Sequence, residues 1–182
     1  PHWKFWKAAL DSEVDGIFAQ FVFALCSIEA AEGGKILGTR FVFALKWDKA
    51  TGLITSFKVR LVVQGFTQEK GIHYMDSFSP VPDLCTIRVM ISICAGFGLT
   101  IYGFDIKQAF INAPIKETLF CKPPRGYPLP AGKVWKLQKA LYGTKQAARE
   151  WYLMISKWLI DFGFEKHMID PCLFVYKGKK KT

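Results

Sequence analysis

The sequence predicts an α+β fold, an antiparallel sheet backed by helices, and three observations predict it. Residues 41–64 alternate apolar and polar side chains on either side of DKATG (48–52), the pattern of a β-hairpin. Leu84, Ile87, Met90, Ile91, Cys94 and Phe97 recur at helical spacing, and so do Ala148, Trp151, Ile155, Trp158 and Phe162. Between the two helical patterns, Tyr102, Phe104 and Ile106 alternate with Ile101, Gly103 and Asp105, which predicts a short apolar strand. A chain of 182 residues, 51% of them hydrophobic, is long enough to bury a core as one domain or two small lobes.

The elements follow in order. The first 28 residues open with Trp3, Phe5, Trp6 and Leu10 and then carry FVFAL at 21–25. The same pentapeptide stands at 41–45, but the flanks differ and there is no third copy, so the sequence does not read as a repeat array. In the second hairpin strand Phe57, Val59, Leu61 and Val63 face one way and Lys58, Arg60 and Val62 the other. Two cations on one strand face suit a triphosphate, and equally suit the solvated side of an amphipathic strand. Residues 65–82 are loop-like, with His73 and Tyr74 holding the loop rather than reacting. Asp83 or Thr86 caps the helix that follows, whose end is marked by Gly96 and Gly98 and whose apolar side is core scaffold. Asp105 stands in an apolar run, where a carboxylate is costly to bury unless a cation, a donor or water meets it. An Asp in such a place most often caps a helix or holds a turn. After a Pro-rich connection, VWKLQKAL (134–141) predicts a short strand, and a helix starts near Thr144 with an apolar core stripe and ends at Gly163. CLFVY (172–176) reads as a strand that lies at a sheet edge or frays, running into lysines.

Composition narrows the function. Twenty-five Lys and Arg against fifteen acids give a formal net charge of +10, which points to a polyanionic partner or to a merely basic surface. An aromatic share of 15% fits base stacking as well as a core. Cys26, Cys85, Cys94, Cys121 and Cys172 are odd in number and never paired as CxxC, which argues for reduced thiols rather than disulfides or a zinc site. His2, His73 and His167 are isolated and form no metal-ligand pattern. No apolar run is long enough to span a bilayer, and the first residues lack a signal-peptide layout. A chain that begins with Pro reads as a fragment.

Six stretches carry a family resemblance: FKVRLVVQGFTQEKGIHY (57–74), DSFSPV (76–81), TIR (86–88), DIKQAF (105–110), LYGTKQAAREW (141–151) and DPCLFV (170–175). In this order the chain resembles the copia-type retrotransposon reverse transcriptases, over roughly Trp47 to Tyr176. The resemblance implies the fingers and a partial palm of a right-hand polymerase, an RNA-directed DNA polymerase that transfers nucleotides from dNTP to a primer 3′-hydroxyl. It divides the chain into a poorly matched segment 1–40, a fingers-like hairpin and helix 41–99, and a partial palm 100–182. Asp105 would be the catalytic carboxylate, holding Mg²⁺ together with the backbone carbonyl of Ile106. Lys58 and Arg60 would meet the triphosphate, Phe110 would lie under the sugar, and Gln146 would contact the nucleotide. Lys145 and Arg149 would touch nucleic acid. The implied partners are an RNA or DNA primer–template, dNTP and the remainder of the retrotransposon polyprotein, in an intracellular setting (a cytoplasmic particle or the nucleus) and without a membrane. Ala113 and Ala148 stand where the family usually has Gly and Pro.

The family's following strand carries an Asp-Asp pair, and this chain contains none. The chain is therefore expected to stop before the catalytic hairpin and to be inactive alone, because one carboxylate cannot hold two metal ions. Two readings stand: the amino-terminal part of a polymerase, or a non-catalytic nucleic-acid-binding relic of such an element.

Overall fold

The computed structural model describes residues 2–32 and 34–178, and mixes helices with antiparallel sheet as the sequence predicts. The chain opens with a helix, α1 (Trp3–Ala19), on which Trp6, Leu10, Glu13 and Ile17 recur every three or four residues. Ile17 is buried, and the face it shares with Glu13 carries the helix onto its neighbours. A turn with Phe21 at φ 54° then leads into β1 (Phe23–Ser27).

The hairpin is β2 (Thr39–Trp47) and β3 (Ile54–Val63). Its turn is built as the sequence requires: Asp48 Oδ1 accepts the Ala50 and Thr51 N–H groups at 2.7 and 3.2 Å, and Gly52 takes φ 69°. Phe41 pairs with Leu61 and Phe43 with Val59. Val59, Leu61 and Val63 are each at most 3% exposed, so the alternation along β3 has the polarity read from the sequence.

A second sheet is ordered β1, β5 (Lys133–Leu137), β4 (Phe120–Cys121), all antiparallel. The two FVFAL segments thus belong to different sheets, one paired with β5 and the other with β3, as two unrelated apolar strands. The core joins both sheets to α1 through Ile17, Leu37, Leu61, Leu119, Trp135 and Leu141. Removing a side chain of this size from water contributes roughly 1.5–3 kcal/mol. All five cysteines are free thiols, and burial pushes that of Cys121 up to about 12.

Three expectations are corrected. Residues 101–106 form no strand. No backbone hydrogen bond among the described residues pairs them with a neighbour, and an extended segment without a ladder is not a strand. Tyr102 and Phe104 are 84% and 89% exposed. The helix α2 (Leu84–Gly96) forms where expected, capped by Asp83 Oδ1 on the Cys85 N–H at 2.7 Å, but it buries none of its residues. Its spacing is helical, yet no described element covers its apolar side, so it is not core here. The last helix, α3 (Ala147–Phe162), ends at Gly163 with φ 110°. Its amino-terminal half packs against Ala113, Ala140 and Phe110, while the other end meets Phe164 and Tyr176 through Phe162 and leaves Trp158 and Phe162 57% and 62% exposed.

A two-stranded ribbon, β6 (Phe164–Lys166) with β7 (Phe174–Tyr176), follows α3, and β7 forms one of its edges. The last four lysine-rich residues, 179–182, lie outside the described residues. No helix among the described residues is long and apolar enough to cross a membrane.

Candidate functional site

The site is built on the outer face of β3. Burial of Val59 and Leu61 turns Lys58 and Arg60 to the opposite side. Their cross-strand partners are Ala44 and Val42, too short to cover them. Lys46, one diagonal step along β2, holds the Lys58 ammonium below its ordinary pKa, and loss of water and Arg60 act in the same direction. Asp105 opposes that shift. Lys46, Lys58 and Arg60 are thus crowded like charges, which an arriving anion would relieve.

Arg60 lies over the Tyr142 ring, 5.3 Å from its centroid. Tyr142 is held there by close backbone packing. The Val63 N–H donates to the Tyr142 carbonyl at 2.8 Å. A β-carbon at Gly143, whose φ is 90°, would overlap the Val63 carbonyl, and one at Gly65 would overlap the Gly143 carbonyl. Phe110, from the 3₁₀ turn Ala109–Asn112, packs behind Tyr142 with ring centroids 4.7 Å apart.

The opposite wall comes from α1. Glu13 is 8% exposed, and its Oε1 accepts the Leu61 N–H at 3.0 Å. Its Oε2 accepts Gln108 Nε2 at 3.5 Å, and Gln20 Nε2 donates to Gln108 Oε1 at 3.2 Å. Gly16 leaves room for the same amide, since a β-carbon there would stand 3.0 Å from Gln108 Nε2. Gln108, at φ 50°, is therefore clamped to α1, and the clamp brings Asp105, Ile106 and Lys107 to the mouth of the cleft. The resulting cavity holds about 650 Å³.

Lys58, Arg60, Asp105 and Ile106, singled out in the sequence, line this one cavity together. The other four do not. Phe110 lies behind Tyr142 and packs with Trp151 and Met154 around Ala113, Ala140 and Ala147. Gln146 is fully buried: its Oε1 accepts Gln68 Nε2 at 3.0 Å, and its Nε2 donates to the His73 carbonyl and to Glu117, both at 3.0 Å. Its amide ties the 65–74 loop to α3. Lys145 is exposed. Arg149 pairs with Asp76 at 3.2 Å and donates to the Phe78 carbonyl at 3.3 Å, which pins the DSFSPV loop. Donation from the Phe78 N–H, with Arg149 as a smaller cause, holds Asp76 below its usual carboxylate range.

Glu13, Gln108 and Tyr142 escaped the sequence reading. The signal for Glu13 was present: it is the acid on the apolar face of an otherwise clear helical spacing.

The donor set also bears on metal binding. A hard divalent cation takes several oxygen ligands, and two such ions need shared carboxylates. The cavity offers Asp105 and Glu13, and both Glu13 oxygens already accept N–H groups. No group of three metal-ligating side chains occurs among the described residues. These residues do not fit a two-ion site.

Residues 22–182 match the family model described as reverse transcriptase (RNA-dependent DNA polymerase). The chain is 35% identical, over 91% of its length, to a retrovirus-related Pol polyprotein from tobacco (Nicotiana tabacum) transposon TNT 1-94. It is 30% and 29% identical, over 96% and 93% of its length, to those from Arabidopsis thaliana transposons RE1 and RE2. The chain spans 12% of the length of each of these relatives. No solved structure matches it. The six motifs, the family match and these relatives agree: the chain belongs to the copia-type reverse transcriptases of retrotransposon Pol polyproteins.

Proposed function

We propose that the cavity between α1, β3 and the 105–108 segment is where a reverse transcriptase receives the phosphates of an incoming nucleotide, with primer–template passing alongside. The observation that carries the reading is the meeting of Lys58 and Arg60 on β3 with Asp105, distant from them in sequence, in one open cavity of about 650 Å³. The hairpin β2–β3 corresponds to the fingers, and the 3₁₀ turn with the β1–β5–β4 sheet and α3 to part of the palm. Lys58 and Arg60 bind and orient the triphosphate, with Lys107 at the rim. Asp105 stands beside the reacting end, and the Ile106 carbonyl is its neighbouring oxygen. Phe110 acts on the sugar side by backing Tyr142. Lys145, exposed where α3 begins, is a nucleic-acid contact. Arg149 and Gln146 act indirectly, by fixing the loops they bind.

The reaction of the family is nucleotidyl transfer, and its divalent cations supply charge stabilisation when bound. This chain's cavity holds too few free carboxylates for that set, so residues 1–182 alone are read as binding substrate without extending a primer.

Binding of a fluorescent dNTP analogue, without divalent cation, tests the reading. Lys58→Ala with Arg60→Ala should weaken binding at least about tenfold, a loss of about 1.4 kcal/mol. Asp105→Asn should tighten it, because an uncompensated carboxylate repels phosphate. Primer extension with magnesium should give no product. Triphosphate affinity indifferent to all three substitutions would sink the assignment, and Asp105-dependent extension would sink the claim of inactivity.

A further inference from the structure

Arg60 reaches the cleft from a strand that does little to aim it. Its cross-strand partner is Val42, and its neighbour on the same face is Lys58. It makes no ion pair among the described residues. A long side chain so placed keeps much of its rotamer freedom, and like charge turns it away from Lys58. The contact that does hold it is the Tyr142 ring, whose centroid lies 5.3 Å from the guanidinium carbon.

The ring in turn is fixed by its own chain and by its neighbours. Leu141 and Thr144, on either side of the turn that carries it, are both buried. Thr144 Oγ1 donates to the Leu141 carbonyl at 2.9 Å, which closes that turn. The Val63 N–H, on the strand that carries Arg60, donates to the Tyr142 carbonyl at 2.8 Å. Phe110 backs the ring at 4.7 Å and is itself packed with Trp151 and Met154. Tyr142 lines the cleft, and Phe110 does not.

We propose that Tyr142 is a positioning residue for the triphosphate: its ring sets the Arg60 guanidinium in the cleft before the nucleotide arrives. A carboxylate in the same place would also hold Arg60. It would, however, occupy the N–H fork and cancel the charge that phosphate oxygens need. A ring face attracts the cation and leaves its N–H groups free, so Arg60 is aimed without being neutralised. Holding the side chain beforehand removes part of the ordering cost of binding. The inference rests on the cleft reading above, and it gives Tyr142 a role that acts through Arg60 and not through the sugar or the base.

The experiment uses this chain with Tyr142→Phe as the start of a series, followed by mono-, di- and trifluorophenylalanine placed at the same position by codon suppression. These rings keep the shape of phenylalanine while fluorine withdraws negative charge from the face. Binding of the fluorescent dNTP analogue, without divalent cation, should weaken with each added fluorine, by about fivefold across the series. Inorganic tripolyphosphate, which has neither sugar nor base, should lose the same factor as a competitor. In an Arg60→Ala background the series should be flat. In a Lys58→Ala background it should keep its slope, because it is Arg60 that lies over the ring.

An unchanged affinity along the series, in a chain whose binding still falls on Arg60→Ala, overturns the proposal and leaves the cleft assignment standing. A series that weakens as much in the Arg60→Ala background overturns it too, because the ring would then touch the nucleotide itself. Weakening of the dNTP analogue that spares tripolyphosphate has the same meaning. A triphosphate affinity indifferent to both Lys58→Ala and Arg60→Ala overturns the cleft assignment and this inference with it. Circular dichroism melts confirm that each variant is folded.

Discussion

Glu13 shows how one side chain can join three elements. Its carboxylate sits on the buried face of α1, accepts a β3 amide and reaches the amide of Gln108. Leaving the Leu61 N–H without an acceptor costs about 1–3 kcal/mol. Glu13→Ala should therefore lose about that much in urea denaturation, and Glu13→Gln, which keeps a carbonyl acceptor, clearly less. Equal losses in the two variants would mean that α1 contributes packing alone. A weaker triphosphate site should accompany the Ala variant, since the same carboxylate helps to hold the segment that carries Asp105.

At the scale of elements, regular structure and burial part company. The helix α2 has a cap and the right spacing, and its first turn is tied to the 170–172 turn by the Asp83 N–H donating to Asp170 Oδ2 at 3.1 Å. Even so, Leu84, Val89 and Ile91 are each more than half exposed. By contrast, β3 is paired along its length with β2 and packed beneath α1. Local opening is easiest where few apolar contacts resist it. Amide hydrogen exchange should thus be at least about tenfold faster in α2 and in 101–106 than in β3. The first two turns of α3 should exchange more slowly than the last two, where Trp158 and Phe162 are open. Uniform protection across these segments would contradict the packing described here.

The whole molecule carries a net charge of +10, and acid raises it further. Three carboxylates resist that protonation: Glu69, which accepts from Lys35, and the two aspartates Asp170 and Asp76. Asp170 is held below its ordinary 3.8 by the Cys172 and Asp83 N–H groups, and Asp76 by the Phe78 N–H and Arg149. A carboxylate whose folded pKa is depressed stabilises the fold fully above its unfolded pKa. That stability is lost as pH falls through the lower, folded value. The melting temperature should therefore fall as pH drops from about 5 to about 2, steepest below the ordinary 3.8. Asp170→Asn should start lower and fall less over the same range. A parallel fall in both proteins would show that general charge repulsion, not Asp170, drives acid unfolding.

The sequence by itself determined the family and part of the local structure, though not the helix α1. Alternation and a DKATG turn specify the β2–β3 hairpin, because side-chain direction in a strand has a period of two. Capping and i, i+3, i+4 spacing specify α2 and α3, because hydrogen bonding within a helix needs only neighbours in the chain. Lys58 and Arg60 were placed on one open face for the same local reason, and six ordered motifs gave the copia-type reverse transcriptase resemblance. Tertiary structure alone decided what each element touches. Residues 101–106 alternate like a strand yet have no partner to complete a ladder, and α2 is apolar along a face that no described element covers. Gln146, polar at a helix start, disappears into a network with Gln68, His73 and Glu117, which are 78, 73 and 29 residues away. The wall formed by α1 depends on a buried acid meeting a strand amide 48 residues later and a glutamine 95 residues later. Such contacts leave no local period in the sequence, because they depend on where distant segments meet.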